Sequence, residues 1–251
     1  MDAPEPAGVF VSGTGTEVGK TVIAAVLAQT LARAGHRVAV FKPAVTGLDE
    51  QPADGPQTSA MGTSEARRPL ADHELLRVAA GSRQSDEEIA PYRYGPAASP
   101  HLAASMAGEK IEPARLLQAA RAAAREADAL VCEGVGGLLV PLAGRVRPPM
   151  GDKVDQPYLV RDLAVDLGYP LVVAASPGLG TINHTLLTLE SARAADLEVA
   201  MVVLTPWPRD PTAIELSNLE TIAALGEVEV QTLPSLDLTA PSSWPDLSWR
   251  R

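Results

Sequence analysis

Residues 8–21 read GVFVSGTGTEVGKT, and this run decides the fold class. Gly8 to Ser12 is a short apolar stretch that reads as a strand. Gly13-Thr14-Gly15-Thr16-Glu17-Val18-Gly19-Lys20-Thr21 follows at once, and Lys20 to Ala34 reads as a helix ended by Gly35. A glycine-rich turn between strand and helix, closing on Gly-Lys-Thr, is the setting of a phosphate-binding P-loop. Its glycines let backbone N–H groups converge on phosphate oxygens, and the helix N-terminus adds partial positive charge. Lys20 can then reach the outer phosphates, and the Thr21 hydroxyl can ligate Mg²⁺. The spacing is one residue longer than GxxxxGK[ST], because Thr14 stands where that pattern has its first glycine, which here is Gly13. A turn that merely carries a lysine is the other reading of the same residues.

Outward from the loop, Val-rich runs alternate with Ala/Leu-rich helical stretches. Val38 to Lys42, Ala129 to Cys132, Leu171 to Ala175 and Val199 to Leu204 read as further strands. Ala71 to Ala80, Glu112 to Ala127, Thr181 to Ala195 and Thr212 to Leu225 read as helices. The strands are continuous apolar runs, which implies burial on both faces of a parallel sheet. Strand–helix alternation then implies right-handed crossovers and a doubly wound α/β fold. The expectation is a single three-layer domain over residues 1–251, P-loop NTPase-like, with a mostly parallel sheet. Residues 1–7 are read as an N-terminal tail and 234–251 as an irregular C-terminal one. Trp244 and Trp249 in that tail are expected to dock on the domain or on a second subunit. Asp49 to Pro69 and Ala143 to Pro157 read as surface loops.

The 251 residues suffice for one core, at 46% hydrophobic and 21% charged. A net charge of −10 argues against nucleic acid as a principal partner, since such binders replace phosphate counterions with basic residues. One cysteine, Cys132, cannot form an internal disulfide and fits a reducing cytoplasm. No run approaches about 20 apolar residues, so no membrane span is expected. Met1 to Pro6, acidic and with two prolines, reads as neither a signal nor a transit peptide.

A P-loop enzyme needs an acidic residue at another strand to hold Mg²⁺. Glu133 follows the apolar run Ala129 to Cys132 and precedes Gly134-Val135-Gly136-Gly137. A glutamate in a buried strand is costly unless paired or metal-bound, while a surface glutamate before a turn is unremarkable. Lys42 closes the second strand and is expected beside the P-loop strand if sequence neighbours pair, at the ligand-binding edge of the sheet. An exposed strand-end lysine is the plain alternative. By position alone Asp72 reads as a helix cap before it reads as a metal ligand.

These residues resemble the dethiobiotin synthase family, from about Val9 to Pro211. The shared motifs are the long P-loop GTxTxVGKT (Gly13 to Thr21), KPxxTG (Lys42 to Gly47), Ser99-Pro100-His101, EGxGG (Glu133 to Gly137) and the turn Gly180 to His184. The resemblance implies ATP-dependent ring closure of 7,8-diaminopelargonic acid with CO₂ or bicarbonate, by a ligase that phosphorylates a carbamate. It implies Mg²⁺ as cofactor, held by Thr21, Asp72 and Glu133, and ATP as co-substrate. Lys42, Lys20 and Thr16 become catalytic, and Thr16, Lys42 and Thr46 bind the carbamate or diamine. Glu17, Val18, Gly19, Lys20, Thr21, Val22, Glu133, Gly134, Gly136, Asn183 and Pro208 line the nucleotide, with Asn183 on the base edge. A cytoplasmic homodimer is implied as well. Arg145, Arg147 and Lys153 are candidates for the substrate carboxylate, while His101 and His184 receive no role.

The chain departs from the family where an adenine-reading asparagine is usual, because Thr205-Pro206-Trp207-Pro208 stands there. Two other P-loop readings compete. A cobyrinate-type amide-forming synthetase would carry a glutaminase domain, for which the chain has neither room nor nucleophile. A partitioning ATPase would carry a lysine five residues before Lys20, and Gly15 occupies that place.

Overall fold

A computed structural model of the chain describes residues 7–50, 70–144 and 156–249. In order it forms β1 (Ala7–Gly13), α1 (Lys20–Arg33), β2 (Val38–Phe41), α2 (Asp72–Ala80), α3 (Asp86–Ile89), α4 (Pro100–Met106), α5 (Pro113–Arg125) and β3 (Ala129–Gly137). Then come β4 (Pro141–Ala143), β5 (Tyr158–Leu159), α6 (Val160–Leu167), β6 (Leu171–Ala175), α7 (Thr181–Arg193), β7 (Val199–Trp207), α8 (Ala213–Gly226) and β8 (Val230–Pro234). Six strands make one parallel sheet in the order β2-β3-β1-β6-β7-β8, and β4 with β5 forms a small antiparallel pair. No helix among the described residues is long and apolar enough to cross a membrane.

The sheet is covered on both faces, as its continuous apolar strands require. Phe10 points to one side, into a core with Leu116 of α5, Leu163 of α6 and Leu189 of α7. Val9 and Val11 point to the other, with Ile23 and Leu27 of α1, Leu76 of α2 and Trp244. This is the three-layer arrangement expected from the strand–helix alternation.

The pairing of β2 corrects the expectation that Lys42 lies beside the P-loop strand. β3 lies between them, paired to β1 on one side and to β2 on the other. Its glycine-rich end makes this possible: a Cβ added at Gly137 would lie 3.2 Å from the Gly13 carbonyl oxygen. A side chain there would crowd the backbone of the phosphate loop. β3 also runs on to Gly137, so Glu133 is interior to the strand rather than past its end.

β8 has no counterpart in the sequence reading, since Gln231 and Thr232 break the apolar run on this edge strand. Pro234, read as the start of the irregular tail, is its last residue. The tail beyond it packs on the body of the domain. Trp244 is buried and its indole N–H donates to the Asp237 carbonyl at 2.7 Å. Arg33, in the last turn of α1, donates to the carbonyls of Pro241, Ser242 and Trp244 and to the Asp246 carboxylate. Gln29 adds a 2.7 Å bond to the Pro241 carbonyl. Charged hydrogen bonds of this kind contribute about 1.5–3 kcal/mol, so Arg33→Ala is expected to lower folding stability by about 2 kcal/mol in urea denaturation. A midpoint indistinguishable from the parent would show that the tail adds nothing to the stability of α1.

Candidate functional site

The phosphate loop joins β1 to α1, and its backbone is set by local geometry. Glu17 (φ 58°) and Gly19 (φ 85°) both adopt left-handed conformations, which turn successive N–H groups towards one concavity. Gly19 is required twice over, by its dihedral and because an added Cβ would stand 2.4 Å from Cγ2 of Thr205. The Thr14 amide is used to tie the loop to Ala174 of β6 at 3.0 Å. From Gly15 to Val22 no backbone N–H pairs with a described residue, and α1 has no side-chain cap. A row of open amides at a helix N-terminus is a ready anion site. Lys20 is buried against this loop and donates to the Gly15 carbonyl at 2.7 Å. Burial pushes its pKa down, against the attraction of Glu133.

The register of the sheet assembles the rest. Phe41 pairs with Cys132, so the next residues along, Lys42 and Glu133, face each other across adjacent strands. Lys42 Nζ donates to Glu133 Oε1 and to Asp72 Oδ2, at 2.6 Å each. The Thr21 hydroxyl donates to the same Glu133 oxygen at 2.8 Å. Asp72 is the first residue of α2, after the cap position Ala71, and its carboxylate turns to Lys42. The cap reading of Asp72 is therefore set aside.

The electrostatics follow from burial. Lys42 is 4% exposed and Glu133 wholly buried. Burial disfavours the Lys42 ammonium, but the charges of Glu133 and Asp72 override it and hold the pKa above that of a free lysine. Burial also pushes the Glu133 carboxyl up, and the attraction of Lys42 does not cancel the push. The half-exposed Asp72 is pulled the other way: burial raises it, and the charge of Lys42 with bonds from Lys42 and Thr21 brings it below a free carboxylate. Glu133 Oε2 is buried with no hydrogen-bond partner. An unpaired oxygen of a buried carboxylate, next to a threonine hydroxyl and a second carboxylate, suits a hard cation such as Mg²⁺.

Thr21, Lys20, Lys42, Asp72 and Glu133 are thus brought into one cluster. Thr16 and Glu17 are exposed at the tip of the loop, with Val18 and Val22 half-buried beneath it. Gly134 lies where an added Cβ would be 2.9 Å from Val160 Cγ1, and Gly136 needs a left-handed φ of 64°. Thr46 is half-buried just past Val45, whose amide and carbonyl pair with Tyr92 and Tyr94. Asn183 is exposed in the first turn of α7, His184 beside it, and Pro208 follows the end of β7. Arg145, Arg147 and Lys153 lie outside the described residues.

Two residues have supporting roles that the sequence reading did not assign. Thr205 is buried with its methyl group against Gly19. The Asn218 amide, on α8, donates to the carbonyls of Pro177 and Gly178 at 2.8 and 3.1 Å and braces the turn before α7. Both act across distant parts of the chain, so no local pattern shows these contacts.

Residues 7–241 match a family model described as an AAA domain. An ATP-dependent dethiobiotin synthetase of Anaeromyxobacter dehalogenans is 37% identical over 215 residues, covering 85% of this chain and 83% of the relative. One from a Geobacillus species is 32% identical over 229 residues, covering 91% of this chain and 84% of the relative. Among solved structures, a ParA family ATPase from Chlorobium tepidum superposes with a TM-score of 0.52 at 15% identity, covering 95% of this chain and 88% of its own. At that identity the likeness speaks for the fold alone.

Proposed function

Because the chain belongs to the ATP-dependent dethiobiotin synthetase family, a family of ligases, we propose that it closes the ureido ring of dethiobiotin from 7,8-diaminopelargonic acid, CO₂ and ATP through a phosphorylated carbamate. The observation that carries this reading is the placement of Lys42. Its buried ammonium follows β2, which β3 separates from β1, yet it lies in the same cluster as Thr21 at the foot of the phosphate loop. A second fixed cation beside a nucleotide site suits transfer of the γ-phosphoryl group to a weak oxyanion.

In the proposed sequence one amine of the substrate adds to CO₂ and loses a proton, giving a carbamate. A carbamate oxygen attacks the γ-phosphorus and ADP leaves. The second amine then attacks the carbonyl carbon of the mixed anhydride, the urea closes and inorganic phosphate departs. The protein contributes positioning and charge. Open amides from Gly15 to Val22 cradle the phosphates, and Lys20 swings from the Gly15 carbonyl to the transferred group. Lys42 faces the negative charge that builds during transfer. Thr16 and Thr46 hold the carbamate or diamine by their hydroxyls, while Glu17, Val18, Gly134 and Gly136 shape the nucleotide wall. Thr21, Asp72 and Glu133 would hold Mg²⁺, which when bound neutralises phosphate charge. A cytoplasmic homodimer belongs to the same proposal.

Purified protein given the diamine, bicarbonate, Mg²⁺ and ATP should release phosphate and form a product of the mass of dethiobiotin. Chelating the metal should stop both. Phosphate release that does not depend on the diamine would overturn the assignment.

A further inference from the structure

β2 is an end strand of the sheet, so β3 holds it on one side only. On its other side the chain supplies a surrogate neighbour from residues 84–94. The half-buried side chain of Gln84 does there what a paired peptide would do. Its carbonyl oxygen accepts from the Val40 N–H at 2.8 Å, and its amino group donates to the Val40 carbonyl at 3.1 Å. The Ser82 hydroxyl donates to the same amide oxygen at 3.0 Å. Two residues on, the Lys42 N–H donates to the Ile89 carbonyl at 2.8 Å, and Val45 pairs with Tyr92 and Tyr94. The same segment grips α2, because Asp86 receives a hydrogen bond from Arg77 and Ile89 is buried in one cluster with Val40, Leu75 and Leu76. Lys42 and Asp72, which meet at 2.6 Å, are thus carried by two elements that residues 84–89 tie together.

Resting on the role given to Lys42 above, we infer that Gln84 is a positioning residue: it fixes the outer edge of β2 and so sets where the Lys42 ammonium stands between Asp72 and Glu133. Val40 and Lys42 are two residues apart, roughly 6–7 Å along the strand, so a displacement at Val40 passes to Lys42. The ammonium has little tolerance for it, because both of its carboxylate bonds are 2.6 Å long. A misplacement of about 1 Å costs about 10²-fold in rate even when the altered residue is remote from the chemistry. Gln84 itself bonds only to Val40 and Ser82 among the described residues. Its loss therefore leaves the loop amides and Lys20 in place, and nucleotide affinity with them. The plainer reading is that Gln84 only satisfies an open sheet edge. In that case its loss would cost stability without altering the turnover of the folded enzyme.

The test compares the parent with Gln84→Ala and Gln84→Met, since methionine fills the space of glutamine without its hydrogen bonds. kcat and KM for ATP are measured with diamine and bicarbonate saturating and corrected for the folded fraction. Both variants are expected to lose about tenfold or more in kcat, with KM for ATP changed less than about threefold. A smaller fall in kcat, a KM that rises as far as kcat falls, or recovery of kcat in Gln84→Met would each overturn the inference. Urea denaturation separates its failure from failure of the reaction assigned above, because it needs no turnover. Lys42→Ala should lower the folding equilibrium constant by a factor at least about threefold smaller in the Gln84→Met background than in the parent, since the lysine is then less well placed between its carboxylates. That result in a protein that closes no ring would uphold Gln84 as the support of Lys42 and overturn only the reaction. Independent effects of the two substitutions would overturn the inference even in an active enzyme.

Discussion

Lys42→Ala is expected to reduce ring closure by about 10³-fold while changing nucleotide affinity by less than about tenfold. The ammonium is buried and held by two carboxylates at 2.6 Å, so it cannot be replaced by water or by a neighbouring lysine. Lys20 stays in the variant and keeps the phosphate loop competent for binding, which is why affinity and turnover should separate. Folding should suffer too. Asp72 can turn to solvent, but Glu133 cannot, and leaving one member of a buried pair uncompensated costs about 3–5 kcal/mol. Lys42→Arg should not restore activity, because a planar guanidinium does not fit the point a single ammonium occupies between the two oxygens. The lysine pKa is raised in the fold, so its contribution is complete below the unfolded value of 10.5 and is lost as pH rises through the higher folded value. The alkaline limb of the stability curve should therefore flatten in the alanine variant. Phosphate-release kinetics, nucleotide titration and urea denaturation measure the three effects, and activity within tenfold of the parent would end the role given to Lys42.

Glu133→Gln is the second large effect, with turnover expected to fall about 10²- to 10³-fold and the Mg²⁺ concentration for half-maximal activity to rise. Glutamine matches the shape of glutamate, and its amide oxygen can still accept from Thr21 and Lys42 in place of Oε1. What goes is the charge, and with it the oxygen that has no protein partner. Stability should fall by less than in Lys42→Ala. The Glu133 pKa is raised, so its stabilising contribution is present below the ordinary carboxylate range and is lost as pH climbs through the folded value. A neutral amide resembles that low-pH form, whereas Lys42 keeps Asp72 as its partner. A Mg²⁺ titration of activity decides the matter: a curve superimposable on the parent's would remove Glu133 from the metal.

The two variants test a cluster whose members were individually visible but whose arrangement was not. Glu133 could be singled out because a glutamate after four apolar residues and before a run of glycines is expensive unless used. From its position alone Asp72 could not be told from a helix cap, since both readings need an acidic residue at the start of α2. Only the 2.6 Å contact with Lys42 separates them. Thr205 and Trp207 were noted solely as a departure from a family pattern. That the first buttresses Gly19 and the second ends a strand beside Pro234 depends on where β7 runs. The strand β8 was hidden by polar residues that an edge position tolerates.

The phosphate loop was determined by the sequence alone, because strand, glycine turn and helix N-terminus are contiguous within residues 8–21 and their chemistry is local. The same holds for the parallel, two-sided sheet, which follows from uninterrupted apolar strands. Tertiary structure alone decided that Lys42, Asp72, Thr21 and Glu133 meet. Their meeting requires β3 to enter between β1 and β2, a choice made by crossover geometry and by the close approach that Gly137 permits to Gly13. Strand neighbours far apart in the chain are selected by packing that no local pattern encodes, and the second cation of this site exists only once that selection is made.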